Sequence, residues 1–191
     1  MVTRSLTSWE NSIRDPQKCQ TEVLDSLLDE YVKTEYGRRF GATGVQCVED
    51  YRKSFPRVTY ADIRPYLEEV RKGNYGVFLS EEPSIWVLTR GSTGQSKVFP
   101  VTRRHLAEIF DCGSRAVMNH ALKSGGFDML EGGVLNLNFP SNVETLDVAG
   151  KRMVYGYSSG TYARLNPMLR GLALIPRQEE IDALQTGLTP K

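Results

Sequence analysis

The run Thr89-Arg90-Gly91-Ser92-Thr93-Gly94-Gln95-Ser96-Lys97 combines three things that a polyphosphate demands of a protein chain. Gly91 and Gly94 allow backbone N–H groups to turn toward an anion at close range. Thr89, Ser92, Thr93 and Ser96 supply hydroxyl donors. Lys97 adds a positive point charge on a flexible stem. Arg90 is a second cation within the same loop. The alternative for such a stretch is a solvated turn. Two features argue against it here: an apolar run, Ile85-Trp86-Val87-Leu88, leads directly in, and Thr102, Arg103 and Arg104 follow.

The loop is not a P-loop of the Walker A type. That pattern requires glycine five positions after Gly91, where Ser96 stands, and a hydroxyl residue after Lys97, where Val98 stands. The dinucleotide pattern G-x-G-x-x-G is missing from it as well.

The elements that must hold this loop follow from hydrophobic spacing. Residues 1–16 read as a polar, irregular N-terminal arm. Val23, Leu24, Leu27, Leu28, Tyr31 and Val32 predict a helix over 17–36, with Gly37 ending it. Ile63, Tyr66, Leu67 and Val70 predict a second helix over 60–72, with Gly73 just past its end and Pro65 in its first turn. Val77-Phe78-Leu79 and Ile85–Leu88 read as short apolar runs, the second a buried strand. Thr102 predicts the N-cap of a third helix whose inner face carries Leu106, Ile109, Phe110, Val117 and Ala121. Leu135, Leu137 and Phe139 alternate with asparagines as in a strand with one wet face. Residues 153–157 predict another strand opening into a small-residue loop at 158–161, and a last helical piece fits 179–184. Strands alternating with helices predict an α/β fold.

Composition limits the partners. Twenty-four basic residues against 23 acidic ones leave a net charge of +1, which offers no general attraction to nucleic acid or to an anionic membrane. Any phosphate binding must therefore be local. Cys19, Cys47 and Cys112 are odd in number and far apart, which fits reduced thiols in a cytoplasmic setting better than a disulfide framework. No apolar run reaches the length of a membrane span. With only His105 and His120, a histidine-rich metal site is not expected.

The loop resembles the first core motif of adenylate-forming enzymes, Thr-Ser-Gly-Thr-Thr-Gly-x-x-Lys. Thr89, Gly91, Thr93, Gly94 and Lys97 match it, Ser92 is a conservative change, and Arg90 replaces a small residue. Its surroundings narrow the likeness. Thr34-Glu35-Tyr36-Gly37, then Phe55-Pro56-Arg57-Val58-Thr59-Tyr60-Ala61-Asp62-Ile63-Arg64-Pro65-Tyr66, then Val98-Phe99-Pro100-Val101-Thr102 resemble the corresponding segments of the Gretchen Hagen three (auxin-responsive promoter) family of acyl acid–amido synthetases. The resemblance is closest over residues 17–105. It implies the N-terminal part of an adenylate-forming (acyl-CoA synthetase/luciferase-like) large domain, a mixed sheet with flanking helices over 17–191.

The resemblance further implies ATP and Mg²⁺ as cofactors, and a small-molecule carboxylic acid and an amine, such as an amino acid, as substrates. Thr89, Arg90, Gly91, Ser92, Thr93, Gly94 and Lys97 would contact the nucleotide. The family's second motif, aromatic-Gly-x-(Ser/Thr)-Glu, is not matched: Tyr155-Gly156-Tyr157-Ser158 starts like it, but Ser159 stands at the glutamate's place. Family members are also far longer. The expectation is therefore an N-terminal piece of such a ligase, inactive alone and lacking the C-terminal part and lid. The alternatives are a non-catalytic nucleotide- or phosphate-binding module and an interaction domain whose loop is only a turn.

Overall fold

The computed structural model describes residues 2–90 and 96–184. The chain divides into two compact units, residues 1–83 with 148–151, and residues 84–147 with 152–191.

In the first unit, α1 (Val2–Arg14) occupies the stretch expected to be irregular. Leu6, Trp9 and Ile13 recur at i, i+3 and i+7, a helical stripe that the polar composition hides. It ends where Pro16 opens α2 (Pro16–Tyr31), with the Asp15 carboxylate accepting from the Lys18 N–H at 3.1 Å as N-cap. The predicted helix to residue 36 is in fact broken. Thr34, almost fully buried, donates its hydroxyl to the Tyr31 carbonyl and accepts from the Gly37 N–H, each at 2.9 Å. One side chain thus closes α2 and caps α3 (Glu35–Arg39). Gly37 lies inside α3 rather than ending α2. A Cβ there would stand 1.9 Å from the Tyr31 carbonyl oxygen, so the tight junction admits only glycine.

After α4 (Val48–Ser54), α5 (Tyr60–Arg71) starts as expected. The Asp62 carboxylate accepts from both the N–H and the hydroxyl of Thr59 at 2.7 Å, which holds its pKa below the ordinary value. Because the helix begins at Tyr60, Pro65 falls in its second turn, not its first. Gly73 follows the helix at φ +99°. Residues 75–77, which overlap the first short apolar run, form a 3₁₀ turn. Phe55 stacks on Tyr51 and Tyr31, with ring centroids 4.8 and 5.6 Å apart. Tyr36 meets Tyr66 edge-on at 5.2 Å. Two of the segments that carry the family resemblance therefore meet in one aromatic core.

The second unit begins with β1 (Ile85–Thr89) and β2 (Lys97–Val101), an antiparallel pair. Trp86, Val87 and Leu88 are all buried, the pattern of a strand covered on both faces. Thr102 caps α6 (Arg103–Ser124), accepting from the His105 N–H at 3.2 Å. Met118 and Ala121 form its buried face, whereas Val117, expected inside, is 38% exposed. β3 (Val134–Leu135) stops after two residues. The asparagine–leucine alternation has the opposite phase from that expected: Asn136 is buried, and Leu135 and Leu137 face outward. β4 (Glu144–Val148) turns through Ala149 and Gly150, both at positive φ, into β5 (Lys151–Tyr157). The stretch 158–161, expected to be a loop, is the first turn of α7 (Ser158–Leu165). β6 (Leu174–Ile175) pairs parallel with β3, and α8 (Gln178–Ala183) matches the predicted last helical piece. The main sheet runs β2-β1-β5-β4, with β1 and β5 parallel, so it is mixed.

Gly37→Ala should lower stability by roughly 2–3 kcal/mol, the scale of overpacking at a rigid contact. Gly44→Ala, where an added Cβ meets nothing within 4 Å, should leave it nearly unchanged. Urea denaturation of the two variants checks the contrast.

Candidate functional site

Strand pairing brings the two ends of the Gly/Ser/Thr loop together. Thr89 is the last residue of β1, Lys97 the first of β2, and the two are direct cross-strand partners. Opposed residues in an antiparallel pair lie about 5 Å apart at Cα, so the loop leaves and re-enters the sheet at one point. Thr89 is half-buried, and its hydroxyl faces the Lys97 carbonyl at 3.4 Å. Gly91, Ser92, Thr93 and Gly94 lie outside the described residues.

Arg90 departs from the family motif, and its guanidinium carbon stands 4.4 Å from the centroid of the Phe139 ring. That is a cation–π contact. The Phe139 ring in turn packs against Tyr157 at 5.2 Å. Tyr157 ends β5, opposite Leu88 of β1, so the aromatic pair adjoins the mouth of the hairpin.

The backbone of Phe139 is fixed from two sides. Its N–H donates to Ser159 Oγ at 3.2 Å, and its carbonyl accepts from Gln178 Nε2 at 3.2 Å. Gly160 makes room for this strap, since a Cβ there would stand 1.9 Å from the Phe139 oxygen. Gln178 belongs to a largely buried polar network. Its Oε1 accepts from Asn136 Nδ2, and its Nε2 also donates to Asp182 at 2.9 Å. Asp182 further accepts from the Ser141 N–H at 2.7 Å and from the Ser141 hydroxyl at 2.5 Å. Ser141 is fully buried, so these donors have no solvent to turn to.

The other residues weighed from sequence do not join this site. Trp86 is a core residue at 3% exposure. His105, Arg103 and Arg104 are exposed on the first turn of α6, and Cys112 is exposed farther along it. Tyr66 belongs to the first unit, where it accepts from Arg39 Nη1 at 2.9 Å. A groove of about 670 Å³ lies there, lined in part by Tyr36, Arg39, Arg57 and Tyr66. Glu35, Asp62 and Glu69 also line it, which offsets its two guanidiniums and makes it a poor polyanion site. Among the described residues, no group of three or more His, Cys, Asp or Glu side chains could hold a metal ion. No helix among them is long and apolar enough to cross a membrane.

Phe139 is the neighbour of Arg90 that sequence reasoning missed. Phe139 was expected as the last member of an alternating strand. The one local sign otherwise is Pro140, which cannot donate to a ladder.

A mixed α/β sheet with flanking helices and a hydroxyl-, glycine- and lysine-bearing hairpin loop defines the class. Its fold is that of the N-terminal region of acyl acid amido synthetases. The solved structure of AtGH3.15 acyl acid amido synthetase in complex with 2,4-DB superposes with a TM-score of 0.68, at 20% identity, over 91% of this chain and 30% of that one. Residues 5–178 match the GH3 family N-terminal domain, and the chain belongs to that family. It is 30% identical over 105 residues to indole-3-acetic acid-amido synthetase GH3.2 of Arabidopsis thaliana, covering 54% of this chain and 19% of that protein. It is 28% identical over 145 residues to probable indole-3-acetic acid-amido synthetase GH3.12 of Oryza sativa subsp. japonica, covering 73% and 23%. The chain thus spans about a fifth of the length of these curated relatives.

Asp182→Ala should cost roughly 2–4 kcal/mol, because it strands the Ser141 N–H and hydroxyl and one Gln178 donor. Ser141→Ala removes the hydroxyl donor to Asp182 Oδ2 and leaves Oδ1 with its two N–H donors, so a smaller loss of roughly 1–2 kcal/mol is expected. The order of the two urea midpoints is the check.

Proposed function

We propose that residues 17–191 supply the ATP-phosphate-binding part of the adenylation domain of an acyl-adenylate-forming amido ligase. The observation that carries the reading is the hairpin: Thr89 and Lys97 stand opposite each other at the mouth of the loop whose sequence suits a polyphosphate. Family membership supports it.

In the reaction, a carboxylate oxygen of a small acid attacks the α-phosphate of ATP, and the bond to pyrophosphate breaks. An amine, an amino acid in the relatives' manner, then attacks the acyl carbon and releases AMP. This chain's own contribution is to the leaving group. Lys97 and the donors of Thr89, Ser92 and Thr93 would neutralise charge on the β- and γ-phosphates, while Gly91 and Gly94 let the backbone approach. Arg90 completes the set of nucleotide-side residues. Mg²⁺ would arrive as part of the nucleotide complex and reduce the charge of the departing pyrophosphate. The three free cysteines fit a cytoplasmic setting.

Ser159 occupies the position where the family's second motif carries glutamate, and its hydroxyl is engaged by the Phe139 N–H. The 191-residue chain should therefore bind ATP without turning it over. Calorimetric titration should show ATP binding that weakens at least about tenfold in Lys97→Ala, the scale of one charge-assisted contact. Equal affinities would remove the loop from the function. Carboxylate-dependent pyrophosphate exchange by the chain alone would overturn that expectation.

A further inference from the structure

We propose that the pocket between the end of α7 and the start of α8 binds a small soluble phosphate monoester. The site shares no residue with the Thr89–Lys97 hairpin and does not depend on its function. Its volume of about 330 Å³ lies near the lower end of the range for small-molecule sites. Arg164, Arg170 and Arg177 line it, and among the described residues Glu179 is the only carboxylate in the lining. The three arginines come from separate stretches that the chain folds together. Arg164 stands in the last turn of α7, Arg170 follows a 3₁₀ turn at Pro167–Leu169, and Arg177 immediately precedes α8. The Asn166 side chain accepts from the Met168 N–H at 2.9 Å, and the Arg170 N–H donates to the Pro167 carbonyl at 3.3 Å. Gly171, at φ +90°, turns the chain toward β6, whose pairing with β3 anchors the return.

Charge decides what the pocket suits. Arg177 spends its charge on Glu180, to which its Nη2 and Nε donate at 3.2 and 3.3 Å. The side chains of Arg164 and Arg170 have no hydrogen bond or ion pair among the described residues. Two such cations on one small concavity create a positive local potential on a chain whose net charge is only +1. The carbonyl end of α7 contributes about half a negative charge, which the full charge of Arg164 outweighs. A carboxylate fills its two oxygens with one guanidinium fork, whereas the three terminal oxygens of a phosphate can engage two forks. Leu172 and Leu174, both half-buried, supply an apolar wall, so the anion that fits carries a short apolar body.

The test is titration of the 191-residue chain with n-butyl phosphate, followed by two-dimensional NMR of the labelled protein. Saturable shifts centred on residues 164–177 are expected. Arg164, Arg170 and Glu179 are exposed, so variants there should fold normally, and the amide spectrum reports it. Arg164→Gln and Arg170→Gln should each weaken binding about tenfold, the scale of one charge-assisted contact. Glu179→Gln removes a like charge from the lining and should tighten binding roughly threefold, a gain that a purely structural role would not give. Inorganic phosphate lacks the apolar body and pentanoate lacks the phosphoryl group, so each should bind at least about fivefold more weakly. A probe of either kind that matches butyl phosphate would overturn the assignment of the ligand class. The site itself is overturned by the lack of saturable binding below about 10 mM, or by both arginine variants binding within about twofold of the parent. Shifts confined to Thr89 and Lys97 would place the anion at the hairpin and overturn it equally.

Discussion

The antiparallel pairing of Ile85–Thr89 with Lys97–Val101 is the constraint on which the candidate site depends. Ordering the backbone of a glycine-containing loop costs conformational entropy. Pinning its two ends as cross-strand partners removes much of that freedom before any ligand arrives. The pairing is secured in turn by the burial of Trp86, Val87 and Leu88 on both faces of β1. A one-residue slip would exchange the faces of these side chains, so the core fixes the register and the register fixes Thr89 opposite Lys97. Hydrophobic burial thus becomes, two steps later, the placement of a lysine.

The far wall beside the hairpin is built by a different kind of interaction. Asn136, Ser141, Gln178 and Asp182 are polar residues in largely buried positions, and each finds a partner there. Such networks specify one arrangement strongly, because a displaced member leaves donors without acceptors. Their effect is to strap residues 139–141 in place, with Gly160 allowing the backbone to pass. Phe139 is thereby held where its ring meets the Arg90 guanidinium.

Much of the frame was legible in the sequence, for reasons that are local. The buried strand Ile85–Leu88 is a continuous apolar run, Thr102 is a hydroxyl N-cap before an apolar period, and Gly73 sits just past a helix end. The failures are equally physical. α1 was missed because only Leu6, Trp9 and Ile13 mark its stripe among polar residues. The break at Thr34 depends on one hydroxyl serving two helix ends, which no periodicity reports. Asn136 inverted the expected strand because its partner, Gln178, lies 42 residues away. At the site, Thr89 and Lys97 were legible as a motif. Phe139 was not, since only the fold brings it beside Arg90.

Two-dimensional NMR of the isotopically labelled chain during MgATP titration tests the central claim most directly. If the hairpin grips the phosphates, the amide signals of Thr89, Arg90 and Lys97 should shift first and furthest, with Phe139 following. Shifts confined to the aromatic groove around Tyr36, Arg39 and Tyr66, or no saturable shifts at the hairpin, would contradict it.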